Sequence, residues 1–181
     1  MASFTLPGLD DQQAEAIRTA LQERLVALID TALTLKHIHW NVTGPTFIGV
    51  HEMLDPQVAG VHAMSDTLAE RIAALGGSPN GLPGHLVASR SWEDYRVDRA
   101  PVPQHLEALD VVYSAVIAGH RAAIEATGDL DPITEDILIG QTGELEQYQW
   151  FVRAHLESSD GALPTRDADQ QAAARAQEVA G

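Results

Sequence analysis

The chain has 181 residues, 26 of them acidic and 11 basic, for a formal net charge of −15, and it contains no cysteine. That length suits one domain with its own core, the missing thiols exclude disulfides and thiolate metal sites, and no apolar run is long enough to cross a bilayer as a helix. The acidic balance disfavours nucleic acid and favours cations as partners, and the lack of a basic, apolar leader in Met1–Gln13 makes the cytoplasm the expected compartment.

Residues 1–9 read as an N-terminal tail, 10–157 as a single helical domain, and 158–181 as a polar, Ala- and Gln-rich tail expected to be flexible. Asp10 and Gln13 form a D-x-x-Q capping box. The core-facing positions Ala14, Ile17, Leu21, Leu25, Leu28, Ala32, Leu35 and His39 then recur at helical spacing. Asn41–Pro45 breaks that pattern as a loop. A second helix is expected from Thr46 or Phe47 to Leu75, stopped by Gly76-Gly77, with Pro56 either bending it or marking where regular helix begins. Residues 76–103 form a long connection in which Ser91–Tyr95 is predicted as a short helix. A third long helix runs from about Pro103 to Ala126, with Leu106, Leu109, Tyr113, Val116, His120 and Ile124 inward. Asp131 caps a fourth, Pro132 opens it, and it reaches about Glu157 with Ile133, Ile137, Leu145, Tyr148, Val152 and Leu156 inward. No internal repeat and no alternating strand pattern is visible. Four helices with one long crossover between the second and third predict an all-α, ferritin-like bundle.

Chemistry concentrates in His39, His51, Asp55, Asp66 and Glu70. His51 and Asp55 are spaced i, i+4, as are Asp66 and Glu70, so each pair shares a helix face. Imidazole with carboxylate is a ligand set for a first-row divalent metal, iron in particular where positions stay open. Asp55 and Asp66 lie about 16 Å apart along a continuous helix and cannot share an ion within it. An antiparallel copy across a two-fold axis would bring Asp55 of one chain to Asp66 and Glu70 of the other, twice per dimer. The usual in-bundle site built on Glu-x-x-His is missing, because no histidine here has a glutamate three residues before it. Taken singly, each ligand has an ordinary explanation: His39 as a core histidine, Asp66 and Glu70 as a solvated face. His37, His62, His85, His105, His120 and His155 belong to that ordinary class. Lys36, the only lysine, is either a salt-bridge partner for a site carboxylate or a plain surface residue.

The blocks Lys36-His37-Ile38-His39-Trp40-Asn41, Gly44-Pro45, Phe47, His51-Glu52-Met53-Leu54-Asp55 and Asp66-x-x-x-Glu70-Arg71, followed by Gly76-Gly77 and later Gln149-Trp150-Phe151, resemble the Dps family of mini-ferritins. The stretch His51–Gln57 is most similar to actinobacterial members. The resemblance implies a hollow homododecameric shell. It implies oxidation of Fe(II), preferably by hydrogen peroxide, and storage of ferric mineral against oxidative damage. It carries the ferroxidase residues onto His39, His51 and Asp55 of one subunit with Asp66 and Glu70 of its two-fold mate, and places Trp40 beside them. Carboxylates near the start of the fourth helix, Asp131 and Asp136, become candidates for a cation pore, with helix capping as the alternative for Asp131.

Many relatives bind DNA through lysine-rich tails. Met1–Gln13 holds no Lys or Arg, and beyond Ser158 only Arg166 and Arg175 oppose Asp160, Asp167, Asp169 and Glu178. With so little counterion release available, DNA binding is expected to be weak or absent. An inert helical scaffold is the remaining reading.

Overall fold

Residues 8–157 are described by the computed structural model, and the two expected tails lie almost wholly outside them. The capping box forms at Asp10: its carboxylate accepts from the Gln13 amide at 2.8 Å, and the Gln13 side chain accepts from the Asp10 amide at 3.0 Å. Helix α1, Asp11–Asn41, follows, with Ile17, Leu21, Leu25, Leu28, Ala32, Leu35 and Ile38 buried along one stripe. Each fully buried leucine in such a stripe contributes about 2 kcal/mol.

A two-residue strand, β1 (Val42–Thr43), leads to α2 (Phe47–Ala74). Pro56 stands inside a continuous α2, so regular helix begins well before it. The end of α2 follows the expected glycine logic. Gly76 has φ +75°, its amide bonds the Ala73 carbonyl, and the Gly77 amide bonds the Ile72 carbonyl, both at 2.9 Å. Those two bonds satisfy carbonyls that the helix end leaves open.

The crossover departs from expectation in two places. Its short helix, α3, is Pro83–Ser89, not Ser91–Tyr95. The latter segment is held out by side chains: Trp92 Nε1 donates to Asp30 at 2.7 Å, Arg90 bonds both Asp30 and Asp94, and the Tyr95 hydroxyl meets His105 Nδ1 at 2.9 Å. The tethers to Asp30 of α1 and to His105 in the helix that follows replace the local bonds of a helix. A second short strand, β2 (Ala100–Pro101), pairs parallel with β1, Val42 opposite Ala100. A bridge of two residues has no period to read, so no alternating pattern announced it.

Helix α4, Val102–Thr127, and helix α5, Pro132–Leu156, complete the ferritin-like bundle, which has one core spanning all four long helices. Asp131 caps α5, accepting from the Ile133 and Thr134 amides. Ile133 does not face inward; it is 59% exposed, while Thr134 and Leu138 are fully buried. The cause is the Asp131 carboxylate, which is turned inward onto Arg71 of α2 and bonds the Thr134 hydroxyl. That phase puts Thr134 against α2 and swings its neighbour, about 100° away, into solvent. The stripe of α4 is as expected, with Leu106, Leu109, Tyr113, Val116 and His120 buried and Ile124 half-buried.

Candidate metal centre

The turn between α1 and α2 folds the last turn of one helix back onto the first turns of the next. His39, near the end of α1, thereby stacks on His51 of α2, with ring centroids 3.6 Å apart and planes at 28°. Phe47 closes on His51 edge-on at 6.3 Å. His51 Nδ1 lies 2.9 Å from the His39 carbonyl oxygen. A carbonyl only accepts, so Nδ1 carries the proton and Nε2 keeps a free lone pair.

Both ring nitrogens of His39 are shielded from solvent without a hydrogen-bond partner. Its Nε2 lies 3.1 Å from Asp55 Oδ1, close enough for an ion pair but off the angle a hydrogen bond requires. A shielded, unmet polar group of this kind costs about 1–3 kcal/mol, which coordination to a cation would offset. Lys36 Nζ donates to the same Asp55 oxygen at 3.0 Å, so the lone lysine is a partner of this carboxylate. The Lys36 hydrogen bond, opposed by slight burial and aided by His39, holds the Asp55 carboxyl below its ordinary range. It stays an anion across the physiological range.

Asp66 and Glu70 stand elsewhere on α2, exposed, with no hydrogen bond or ion pair among the described residues. Eleven residues make three turns, so Asp55, Ala59, His62, Asp66 and Glu70 line one exposed face of α2, with Asp66 about 16 Å along the axis from Asp55. Among the described residues of this single chain, no group of three or more His, Asp or Glu is placed to hold a metal ion. The structure thus gathers His39, His51 and Asp55 in one corner and leaves Asp66 and Glu70 apart. Around that corner Leu33, Trp40, Phe47 and Ile48 are exposed, Trp40 at 72%.

The remaining histidines make ordinary contacts. His37 meets the Val97 carbonyl at 2.8 Å, His85 meets Ser89, and His155 meets the Phe151 carbonyl, while His62 is exposed. His105 and His120 are fully buried. Burial lowers the His105 pKa, and it brings that of His120 down to about 4. Of the two pore candidates, Asp131 is buried and engaged by Arg71, Thr134 and its own cap, whereas Asp136 is exposed on the first turns of α5. Neither the His39–His51 stack nor the Arg71–Asp131 pair is legible in the sequence, because neither follows from spacing within one helix. Leu82-Pro83 was the available signal for α3, since proline favours a first helical position.

The ferritin-like domain family matches residues 18–161. A protein of Mycolicibacterium smegmatis named DNA protection during starvation protein is 55% identical over 163 residues, 90% of this chain and 89% of that one. The fine tangled pili major subunit of Haemophilus ducreyi is 51% identical over 90% of this chain and 86% of its own. The solved structure of DpsA14 from Streptomyces coelicolor superimposes with a TM-score of 0.88 at 59% identity, over 90% of this chain and 97% of that one.

Proposed function

This chain belongs to the ferritin-like family, among its Dps proteins, and from that premise we propose that it oxidises Fe(II), preferably with hydrogen peroxide, and stores the ferric product inside a homododecameric shell. The observation that carries the reading is the half-built site. His39, His51 and Asp55 stand together with uncommitted imidazole nitrogens, and Asp66 and Glu70 stand three turns away on the same exposed helix face. Antiparallel pairing of α2 with its two-fold mate closes both halves at once. Exposed Leu33, Trp40, Phe47 and Ile48 around the corner supply apolar surface for such an interface.

In this reading Fe(II) is the substrate. Asp66 and Glu70 of one subunit, with His39 of the other, hold the tighter ion, and His51 and Asp55 hold or orient a second. Carboxylate oxygens favour Fe(III) over Fe(II), which draws the reaction forward. Few protein ligands per ion leave positions for water and peroxide. Two Fe(II) each give one electron to one peroxide, yielding two Fe(III) and two hydroxides, so no hydroxyl radical is released. Trp40 lies beside the site, and Asp136 is the exposed candidate for a cation path, with Asp131 behind it as cap.

The protein works, in this reading, in the cytoplasm, where it protects DNA by removing iron and peroxide. No helix among the described residues is long and apolar enough to cross a membrane. A shell that compacts DNA is the competing function, disfavoured by the net charge of −15 and by tails without lysine. The test is the double variant Asp66→Ala with Glu70→Ala. Peroxide-driven Fe(II) oxidation, followed by the absorbance of the ferric product, is expected to fall by about 10–100-fold or more, since even outer-shell partners cost that much. Oxidation at the wild-type rate refutes the assignment.

A further inference from the structure

A different set of polar groups lies where α2, α4 and α5 meet and runs from the core out to the surface, with Tyr148 buried and Glu144 exposed. Tyr148 of α5 is buried, and its hydroxyl donates to the Glu144 carboxylate one turn earlier. Gly60 of α2 makes room for it: a Cβ at that position would clash with the hydroxyl oxygen. Tyr113 of α4 packs behind, ring centroids 6.4 Å away, and donates to Gln57 Oε1 at 2.7 Å. Gly60 is five residues past Asp55 and six before Asp66. The phenol therefore meets α2 about 8 Å along the helix axis from Asp55 and about 9 Å from Asp66.

We propose that the Tyr148–Glu144 pair is a one-electron donor that quenches oxidising equivalents escaping the iron chemistry. When peroxide meets a single Fe(II), the products are Fe(III), hydroxide and a hydroxyl radical. Such a radical takes an electron from Tyr148 and becomes hydroxide, while the phenol proton passes to Glu144. The products are then hydroxide, a neutral phenoxyl radical and a protonated carboxyl, with atoms and charge balanced.

The three tyrosines of the chain differ in what can receive that proton. Tyr113 faces an amide oxygen, a far weaker base than a carboxylate. The Tyr95 hydroxyl is divided between His105 Nδ1 at 2.9 Å and the His105 carbonyl at 3.2 Å, beneath the crossover. Only Tyr148 has an acceptor that is both anionic and unable to donate. Burial, reinforced by the Glu144 charge, holds its phenol well above the ordinary range. It therefore stays protonated at rest and gives up its proton only on oxidation.

The inference rests on the ferroxidase reading for the source of the oxidant, so the test has two arms. In the first, Fe(II)-loaded protein is mixed with peroxide, freeze-quenched and examined by electron paramagnetic resonance. A tyrosyl signal is expected in the wild type and in Tyr95→Phe, with most of it lost in Tyr148→Phe. Glu144→Gln, which keeps the phenol and removes the base, is expected to lower the yield several-fold and to make it rise with pH. In the second arm, pulse-radiolytic azide radicals oxidise the iron-free protein, and the same ranking of variants is expected. A radical yield that Tyr148→Phe leaves unchanged in the second arm, or that Tyr95→Phe abolishes, overturns the proposal. A silent first arm beside a positive second one supports the pair as a donor and counts against the iron reading alone. Circular dichroism of each variant separates loss of the fold from loss of the donor.

Discussion

Asp55 is contested. Its carboxylate is shared by Lys36 and His39 within one chain, yet the proposed site needs it for iron. The ammonium keeps it ionised and also neutralises it, so a metal ion must displace Lys36 or share the oxygen with it. Lys36→Gln is therefore expected to tighten anaerobic Fe(II) binding several-fold by titration calorimetry while leaving the melting temperature nearly unchanged, since an exposed pair contributes little to stability. Weaker binding in that variant would recast Lys36 as an anchor. Asp131 presents the opposite case. Burial raises its pKa, but hydrogen bonds from Thr134 and Arg71 outweigh that and bring it below the ordinary value. Its contribution is present above the unfolded carboxyl pKa and is lost as pH falls through the lower folded one. Asp131→Ala removes a cap and strands a half-buried guanidinium, and is expected to cost about 3 kcal/mol in denaturant unfolding at neutral pH. A cost below about 1 kcal/mol would show that Arg71 finds another partner.

Among the elements, α4 carries a pH sensitivity that follows from burial. His120 is fully buried, with Nδ1 3.1 Å from the Val116 carbonyl, Nε2 3.3 Å from Gln141 Oε1, and Arg24 of α1 nearby. Burial and then Arg24 lower its pKa, against the two hydrogen bonds, from 6.5 to about 4. The unfolded chain thus takes up this proton more readily than the folded one. Stability is constant above the unfolded pKa and falls between about pH 6.5 and 4, by up to about 3 kcal/mol. His120→Gln is expected to flatten that part of the profile in urea unfolding, and an unchanged slope would mean that other groups set it. The elements themselves were largely legible. Capping at Asp10 and Asp131, glycines at 76 and 77, and spacing along α1 and α4 act locally, and local rules can be read in a linear chain. What was hidden depends on distant partners. Ser91–Tyr95 is pinned by Asp30 and His105, and the phase of α5 is set by Arg71. The candidate site was readable to the same extent: spacing separated the two groups of proposed ligands, but the stack of His39 on His51 needed the turn between helices.

At the scale of the whole molecule, charge and assembly are where the proposed function can be tested. A net charge of −15 with a single lysine leaves little to exchange for the counterions of DNA. Gel shift with supercoiled plasmid at moderate salt and neutral pH is expected to show free DNA, and a retarded complex would restore compaction as a function. Assembly is tested most directly by mixing two disabled chains. One lacks His51 and Asp55, the other Asp66 and Glu70, each by substitution with alanine, and each alone is expected to be nearly inactive in peroxide-driven Fe(II) oxidation. In a mixed dimer one of the two shared sites regains a complete ligand set. Random co-assembly at equal amounts should therefore restore about a quarter of the wild-type rate. If the mixture stays as inactive as its components while mixed dimers are seen by native mass spectrometry, iron is not held between subunits.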